Sequence, residues 1–158
     1  MVTGLDNSTE SLNYAGKYLA GISNCELING SADNHPFETG TFDIVACIQN
    51  GICVFGVNQH QLIEESIRVA KPGGRILFST YSDKFWDHRL EWFEIQSKAG
   101  LLGEIDYENT ENGMIVCKDG FRARILDSED FAKLTKELNL SVEIYEIDDS
   151  SLFCEIIK

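Results

Sequence analysis

Prolines are scarce in this 158-residue chain, two in all, and no tract of low complexity occurs, so nothing in the composition marks a disordered segment. Basic residues are also few: thirteen Lys and Arg stand against twenty-six Asp and Glu, a formal net charge of −13 at pH 7. So acidic a chain repels a phosphate backbone and lacks the basic patch that nucleic-acid binding needs, so no nucleic-acid partner is expected. No apolar run approaches the ~20 residues of a membrane span, and the N-terminus lacks the charged-then-apolar order of a signal peptide. There is no C-x-x-C pair among Cys25, Cys47, Cys53, Cys117 and Cys154, and their odd number fits neither a disulfide framework nor a zinc site. These absences predict a soluble, cytoplasmic protein with no metal and no membrane partner.

What is present suits one ordinary globular domain over residues 1–158, with 43% hydrophobic and 10% aromatic residues. Strand and helix signals alternate through the first half. "VTGL" reads as a strand, followed by a helix with Leu12, Tyr14, Ala15, Tyr18 and Leu19 near one face until Gly21 stops it. "CELIN" is the next strand, and the apolar run "FDIVACI" has the character of a strand buried on both faces of a parallel sheet. Gln59 to Ala70 reads as a helix with Leu62, Ile63, Ser66, Ile67 and Val69 inward, closed by a turn at "KPGG" before the strand "RILFST". Such repeats predict an α/β fold with right-handed crossovers, a parallel sheet and helices on both faces.

The second half changes character. Residues 85 to 100 form an aromatic-rich helix, and "MIVCKDGFRARIL" reads as a hairpin turning at Asp119-Gly120. "DSEDFAKLTKEL" is a helix capped by Asp127 or Ser128, and "VEIYEI" and "LFCEII" form a second antiparallel pair joined by "DDSS".

In an open parallel sheet ligands bind beyond the carboxyl ends of the strands. Asp6 ends the first strand, where a carboxylate accepts hydrogen bonds from ribose hydroxyls; alternatively Asp6, Asn7 or Ser8 caps the next helix. Asp33, in the loop after the second strand, offers an acceptor to an exocyclic amine, or is a solvated turn residue. After the apolar strand, "IQNG" presents the amides of Gln49 and Asn50, with Gly51 allowing close approach, or serves as a loop and cap.

As a series, "GLDNS", "GSADNHPF", "FDIVACIQNG" and "RVAKPGGRILFST" resemble the second to fifth strands of the class I S-adenosylmethionine-dependent methyltransferases, over residues 1 to about 82. The family's antiparallel ending matches residues 141 to 157 and disfavours a nicotinamide oxidoreductase, the rival for a ribose-binding aspartate. The resemblance implies a Rossmann-like methyltransferase fold with S-adenosylmethionine as cofactor. It implies further that Asp6, with Asn7 beside it, holds the ribose, that Ala32 and Asp33 contact adenine, and that Gln49 and Asn50 lie near the methyl end.

In that family a strand and a G-x-G-x-G loop precede the acidic strand, and no segment of this sequence carries them: Gly51 and Gly56 are too far apart, and Gly73-Gly74 reads as a turn. An N-terminally truncated sheet is therefore expected, with cofactor binding impaired by roughly 2 to 4 kcal/mol for two or three lost amide bonds. Three outcomes are open for the strand edges left free: direct pairing of "VTGL" with "FDIVACI", self-association, or a chain that is a fragment. Self-association to complete the sheet is the expected one.

The acidic charge and the absence of an N-P-P-Y or Pro-Cys pattern leave a small-molecule methyl acceptor, with no catalytic residue assigned. Residues 81–126 are expected to cover the acceptor site. Tyr81, Phe85, Trp86, Trp92 and Phe93 either line a pocket, with His88 and Arg89 as polar contacts, or pack the helix onto the sheet. Tyr81, Trp86 and Arg89 are the substrate-site candidates. Arg122 and Arg124 give the hairpin a basic face that attracts an anionic group or pairs with nearby acids. The alternative function is a non-catalytic remnant that keeps the fold for self-association.

Overall fold

The computed structural model describes residues 1–158. Strand β1 (Val2–Asp6) leads into helix α1 (Thr9–Tyr18), which Ser8 caps by accepting a hydrogen bond from the Ser11 amide at 3.1 Å. Strand β2 (Cys25–Asn29) returns parallel to β1, with Val2 opposite Cys25 and Asp6 opposite Asn29. Strand β3 (Phe42–Cys47), a short helix α2 (Gly51–Val54) and helix α3 (Gln59–Val69) lead to β4 (Ala70–Tyr81), which runs parallel to β3. A 3-10 turn at Asp83–Phe85 opens helix α4 (Trp86–Lys98). The hairpin of β5 (Met114–Val116) and β6 (Arg122–Arg124) follows, then helix α5 (Ser128–Thr135). Strands β7 (Ser141–Ile147) and β8 (Ser151–Ile157) close the chain as an antiparallel pair, with β8 laid against β4.

The main core forms where the apolar stripe of α3 meets the central strands. Leu62 and Ile63 pack with Ile76 and Phe78 of β4, Cys154 and Ile156 of β8, and Phe131 of α5. A smaller apolar centre of Ile105, Ile115, Cys117 and Ala123 sits beneath Trp86, Phe93 and Leu102. The segment between β4 and α5 therefore carries packing of its own. Both tight turns take the backbone their residues suit: Gly120 has φ 96°, and Asp148 and Asp149 have φ 53° and 52° between β7 and β8.

Three expectations are corrected. The run "FDIVAC" is not buried on both faces, and Ile44 is 60% exposed. The cause is sheet order: β3 pairs only with β4 in a sheet ordered β3-β4-β8-β7, while β1 pairs only with β2 in a separate one. Direct pairing of β1 with β3 does not occur. Their edges instead border an apolar slot of about 320 Å³, lined in part by Gly4, Leu5, Phe42, Ile44 and Val45. The two sheets are tied through α3, where Arg68, held by Glu65, donates to the Phe37 carbonyl at 2.8 Å and the His35 carbonyl at 3.1 Å.

The second correction concerns Lys71 to Gly74, which do not form a turn ahead of a strand. They bulge within β4, since Phe42 pairs with Ala70 but Ile44 with Arg75. Gly73 at φ +77° makes the bulge possible, and its amide donates to the Lys158 carbonyl at 2.7 Å. Third, Tyr14 and Tyr18 face solvent at 73% and 81% exposure. A helix lying on a two-stranded sheet covers only a narrow stripe, here Leu12, Ala15 and Leu19.

Candidate functional site

At the carboxyl ends of β1 and β2 lies a cavity of about 220 Å³ bordered by Asp6, Asn7, Ala32, Val54, Phe55 and Val57. Asp6 accepts a hydrogen bond from the Ser8 amide on Oδ1 at 2.7 Å, while Oδ2 has no partner within the protein. Ser8 caps α1, so Asp6 shapes the turn and keeps one oxygen unengaged. The Asn7 carbonyl accepts from Asn29 Nδ2 at 3.2 Å, which locks the end of β1 to the end of β2. Gly30 is required by close approach, because a Cβ there would stand 2.8 Å from Leu5 Cδ1. Asp33 receives the Ser31 hydroxyl on Oδ1 in a tight turn and does not border this cavity.

Beyond β3 the chain makes a sharp corner in which Gln49 and Asn50 have φ 56° and 67°. Both amides are pinned to β4, Gln49 N to Ser79 Oγ at 3.0 Å and Asn50 N to the Ser79 carbonyl at 2.8 Å. The Gln49 side chain is exposed. Asn50 is 4% exposed and donates through Nδ2 to the Arg124 carbonyl of β6 at 2.8 Å, leaving its buried Oδ1 without a partner. Gly51 lets α2 start here, since a Cβ would meet Phe55 Cζ at 2.7 Å. Burial pushes the thiols of Cys47 and Cys53 up to about 12 and about 11, so both are protonated at neutral pH and neither is a thiolate nucleophile.

A second, wider cavity of about 580 Å³ opens between the end of β4 and α4, with Tyr81, Phe85, His88, Arg89 and Trp92 among its walls. The Tyr81 and Phe85 rings stack at 6.1 Å. Trp86 is a correction: it packs on the smaller apolar centre with Phe93 and does not border the cavity. The register of α4 is the cause, since only one helix face reaches the opening. Arg124 is engaged by Asp130 at 2.5 Å, which neutralises half of the expected basic face. His35 lies under the slot between β1 and β3; burial lowers its pKa, and its Nδ1 is buried without a partner.

Residues 1–74 match the model of a family described as a methyltransferase domain. A solved structure of a protein from Pyrococcus horikoshii aligns with a TM-score of 0.67 at 24% identity, covering 99% of this chain and 70% of that one. A SAM-dependent methyltransferase from Aquifex aeolicus aligns with a TM-score of 0.65 at 13% identity, covering 99% and 68%. This chain has the fold of those proteins, and its first 74 residues match the methyltransferase-domain family. Demethylmenaquinone methyltransferases of Staphylococcus epidermidis and Staphylococcus haemolyticus are 35% and 36% identical over 77 residues, 48% of this chain and 31% of theirs. The matched stretch spans under a third of those relatives' length.

The family match ends before Tyr81, so it covers the strand ends that carry Asp6, Ala32 and Asn50 and not the cavity beside α4. Sequence reasoning missed α2 and the role of Phe55, which borders both the cavity at Asp6 and the slot. The apolar run "ICVF" directly after "IQNG" was the available signal. The clamp from Asn50 to Arg124 spans 74 residues and has no local signal. No helix of the domain is long and apolar enough to cross a membrane.

Proposed function

We propose that this domain binds S-adenosylmethionine at the carboxyl ends of β1 and β2 and methylates a small molecule held in the cavity beside α4. The observation that carries the reading is the 220 Å³ cavity, which sets an exposed carboxylate with one unengaged oxygen beside apolar walls. That donor set fits a ribose next to a flat base. The cofactor supplies, when bound, a methyl group made electrophilic by its sulfonium. Asp6 accepts the ribose hydroxyls, Ala32 and Phe55 flank the base, and the exocyclic amine projects past Ala32 toward the second oxygen of Asp33, which stands outside the cavity itself. Gln49, exposed after β3, reaches toward the methionine end, while the Asn50 amide is committed to β6 and holds the corner in place. Methyl transfer needs alignment and exclusion of water more than a strong base, which suits a site with no activated nucleophile. The net charge of −13 disfavours nucleic acid and supports a small-molecule acceptor, as does the demethylmenaquinone named for the staphylococcal relatives.

The test is a calorimetric titration with S-adenosylmethionine and its demethylated product, using Asp6→Ala and Asp33→Ala as comparisons. Micromolar binding, weakened about tenfold or more by Asp6→Ala, is the expected result. No binding to the wild-type chain refutes the reading.

One observation favours a second reading. The slot between β1 and β3 presents two apolar strand edges with unpaired backbone, a surface suited to self-association, and the fold would then serve assembly rather than catalysis. Light scattering at micromolar concentration separates the two: a monomer that binds cofactor sinks the second reading.

A further inference from the structure

The most buried residue of α4 is an arginine. Arg89 is 2% exposed in a helix whose other residues are all partly or fully exposed. Its Nη2 donates to the Ala123 carbonyl at 2.7 Å, but Nε and Nη1 are buried with no hydrogen-bond partner. Tyr81 and Phe93 lie against the guanidinium at 5.3 and 5.5 Å. No carboxylate approaches it; the ionisable groups that act on it are a phenol and a thiol, Tyr81 and Cys53. By contrast, Arg68, Arg75 and Arg124 all sit in ion pairs with acids. A buried cation with two free donors and no counter-ion is destabilising unless something else supplies the charge, and in so acidic a chain an internal partner would have been easy to place. Arg89 also borders the cavity between β4 and α4, whose remaining walls are largely aromatic.

We infer that this cavity binds an aromatic small molecule carrying an anionic oxygen, a carboxylate or a phenolate, and that Arg89 is the residue that receives that oxygen. The inference rests on the reading of the domain as a small-molecule methyltransferase and names its acceptor class. Nε and Nη1 lie on different edges of the guanidinium, so each can give one charge-assisted hydrogen bond to an anionic oxygen, with Nη2 already held by the Ala123 carbonyl. The ring of the ligand then lies among Tyr81, Phe85 and Trp92. Because Nε and Nη1 are shut off from solvent, entry requires a side-chain shift at the cavity floor, and binding is accompanied by local rearrangement. Glu91 also borders the cavity, but it is exposed, and water screens its charge from the buried guanidinium.

The probe pair is 2-naphthoate and 2-naphthamide, equal in shape and different in charge, titrated by calorimetry into the wild-type chain, Arg89→Met and Arg89→Lys without cofactor. Naphthoate is expected to bind the wild-type chain about 10- to 100-fold more tightly than the amide, the range of one charge-assisted hydrogen bond. Arg89→Met abolishes the preference, and Arg89→Lys retains part of it. Thermal melting of the ligand-free variants supplies a second readout. Arg89→Met melts at or above the wild-type temperature if the charge awaits a ligand, and several degrees below it if Arg89 is only a strut between Ala123 and the aromatic rings. Equal affinity for the two probes, no binding of either at millimolar concentration, or a preference that survives Arg89→Met overturns the inference. Cofactor binding, measured on the same samples, keeps the two readings apart. A charge preference without it would retain the anion site and remove the methyltransferase reading, and cofactor binding without the preference would do the reverse.

Discussion

Asn50 joins the corner after β3 to the β5–β6 hairpin, and its replacement tests that join. Asn50→Ala removes the hydrogen bond from Nδ2 to the Arg124 carbonyl, worth about 1 kcal/mol net. It also forces an alanine to hold φ 67°, a left-handed conformation that costs about 1 to 2 kcal/mol where asparagine tolerates it. Asn50→Gly removes the same hydrogen bond but accepts the backbone without strain. Loss of Oδ1, buried without a partner, returns a fraction of the cost in both variants. The alanine variant is therefore expected to lose about 2 kcal/mol and the glycine variant about 1. For a chain of this size these are melting temperatures lower by roughly 4–8 °C and 2–4 °C. Urea unfolding followed by circular dichroism gives the free energies, and amide exchange should show the β5–β6 hairpin opening more readily in both variants. An alanine variant as stable as the glycine variant, or a hairpin with unchanged protection, would refute the reasoning.

Two other outcomes are expected. Burial lowers the pKa of His35 below its ordinary value, so below about pH 6.5 the unfolded chain takes up a proton that the folded chain resists. Stability should therefore fall as pH drops from 7 to 5, and His35→Gln should flatten that window. The loss below pH 5, where Glu65 and Glu155 give up the guanidinium partners that hold their carboxyls low, should be left in place. At the β7–β8 turn, Asp148→Asn with Asp149→Gly supplies the residues that two consecutive left-handed positions favour. The pair should stabilise the domain by about 0.5–1 kcal/mol, because the Lys84–Asp149 ion pair it removes is exposed and weak. A lower urea midpoint in the double variant would count against that turn assignment.

The candidate site was legible where its signals are local. Asp6 ends a short strand and precedes a helix, a position open to either a ligand-facing carboxylate or a helix cap; the structure adds that Ser8, not Asp6, does the capping. Ala32 and Asp33 were paired as base contacts, but only Ala32 borders the cavity at Asp6, while Asp33, two residues from Ser31, spends one oxygen closing its own turn. The aromatic helix was legible as a helix but not as a surface. Tyr81 and Arg89 face the cavity, and Trp86, equally suited by residue type, faces the smaller apolar centre.

The order of the strands and longer helices, the stripe of α3, the Asp119-Gly120 turn and the aspartate at the end of β1 were determined by the sequence alone, because each depends on neighbours within a turn or two of the chain. Sheet order was not, and a strand as apolar as β3 is buried or exposed according to what lies beside it. Nor was the isolation of Arg89, whose only hydrogen-bond partner is 34 residues away and whose lack of a counter-ion is a fact about every acid that folded elsewhere. Backbone preference and periodicity act through adjacent residues, while burial, pairing and charge compensation are settled only when distant segments meet.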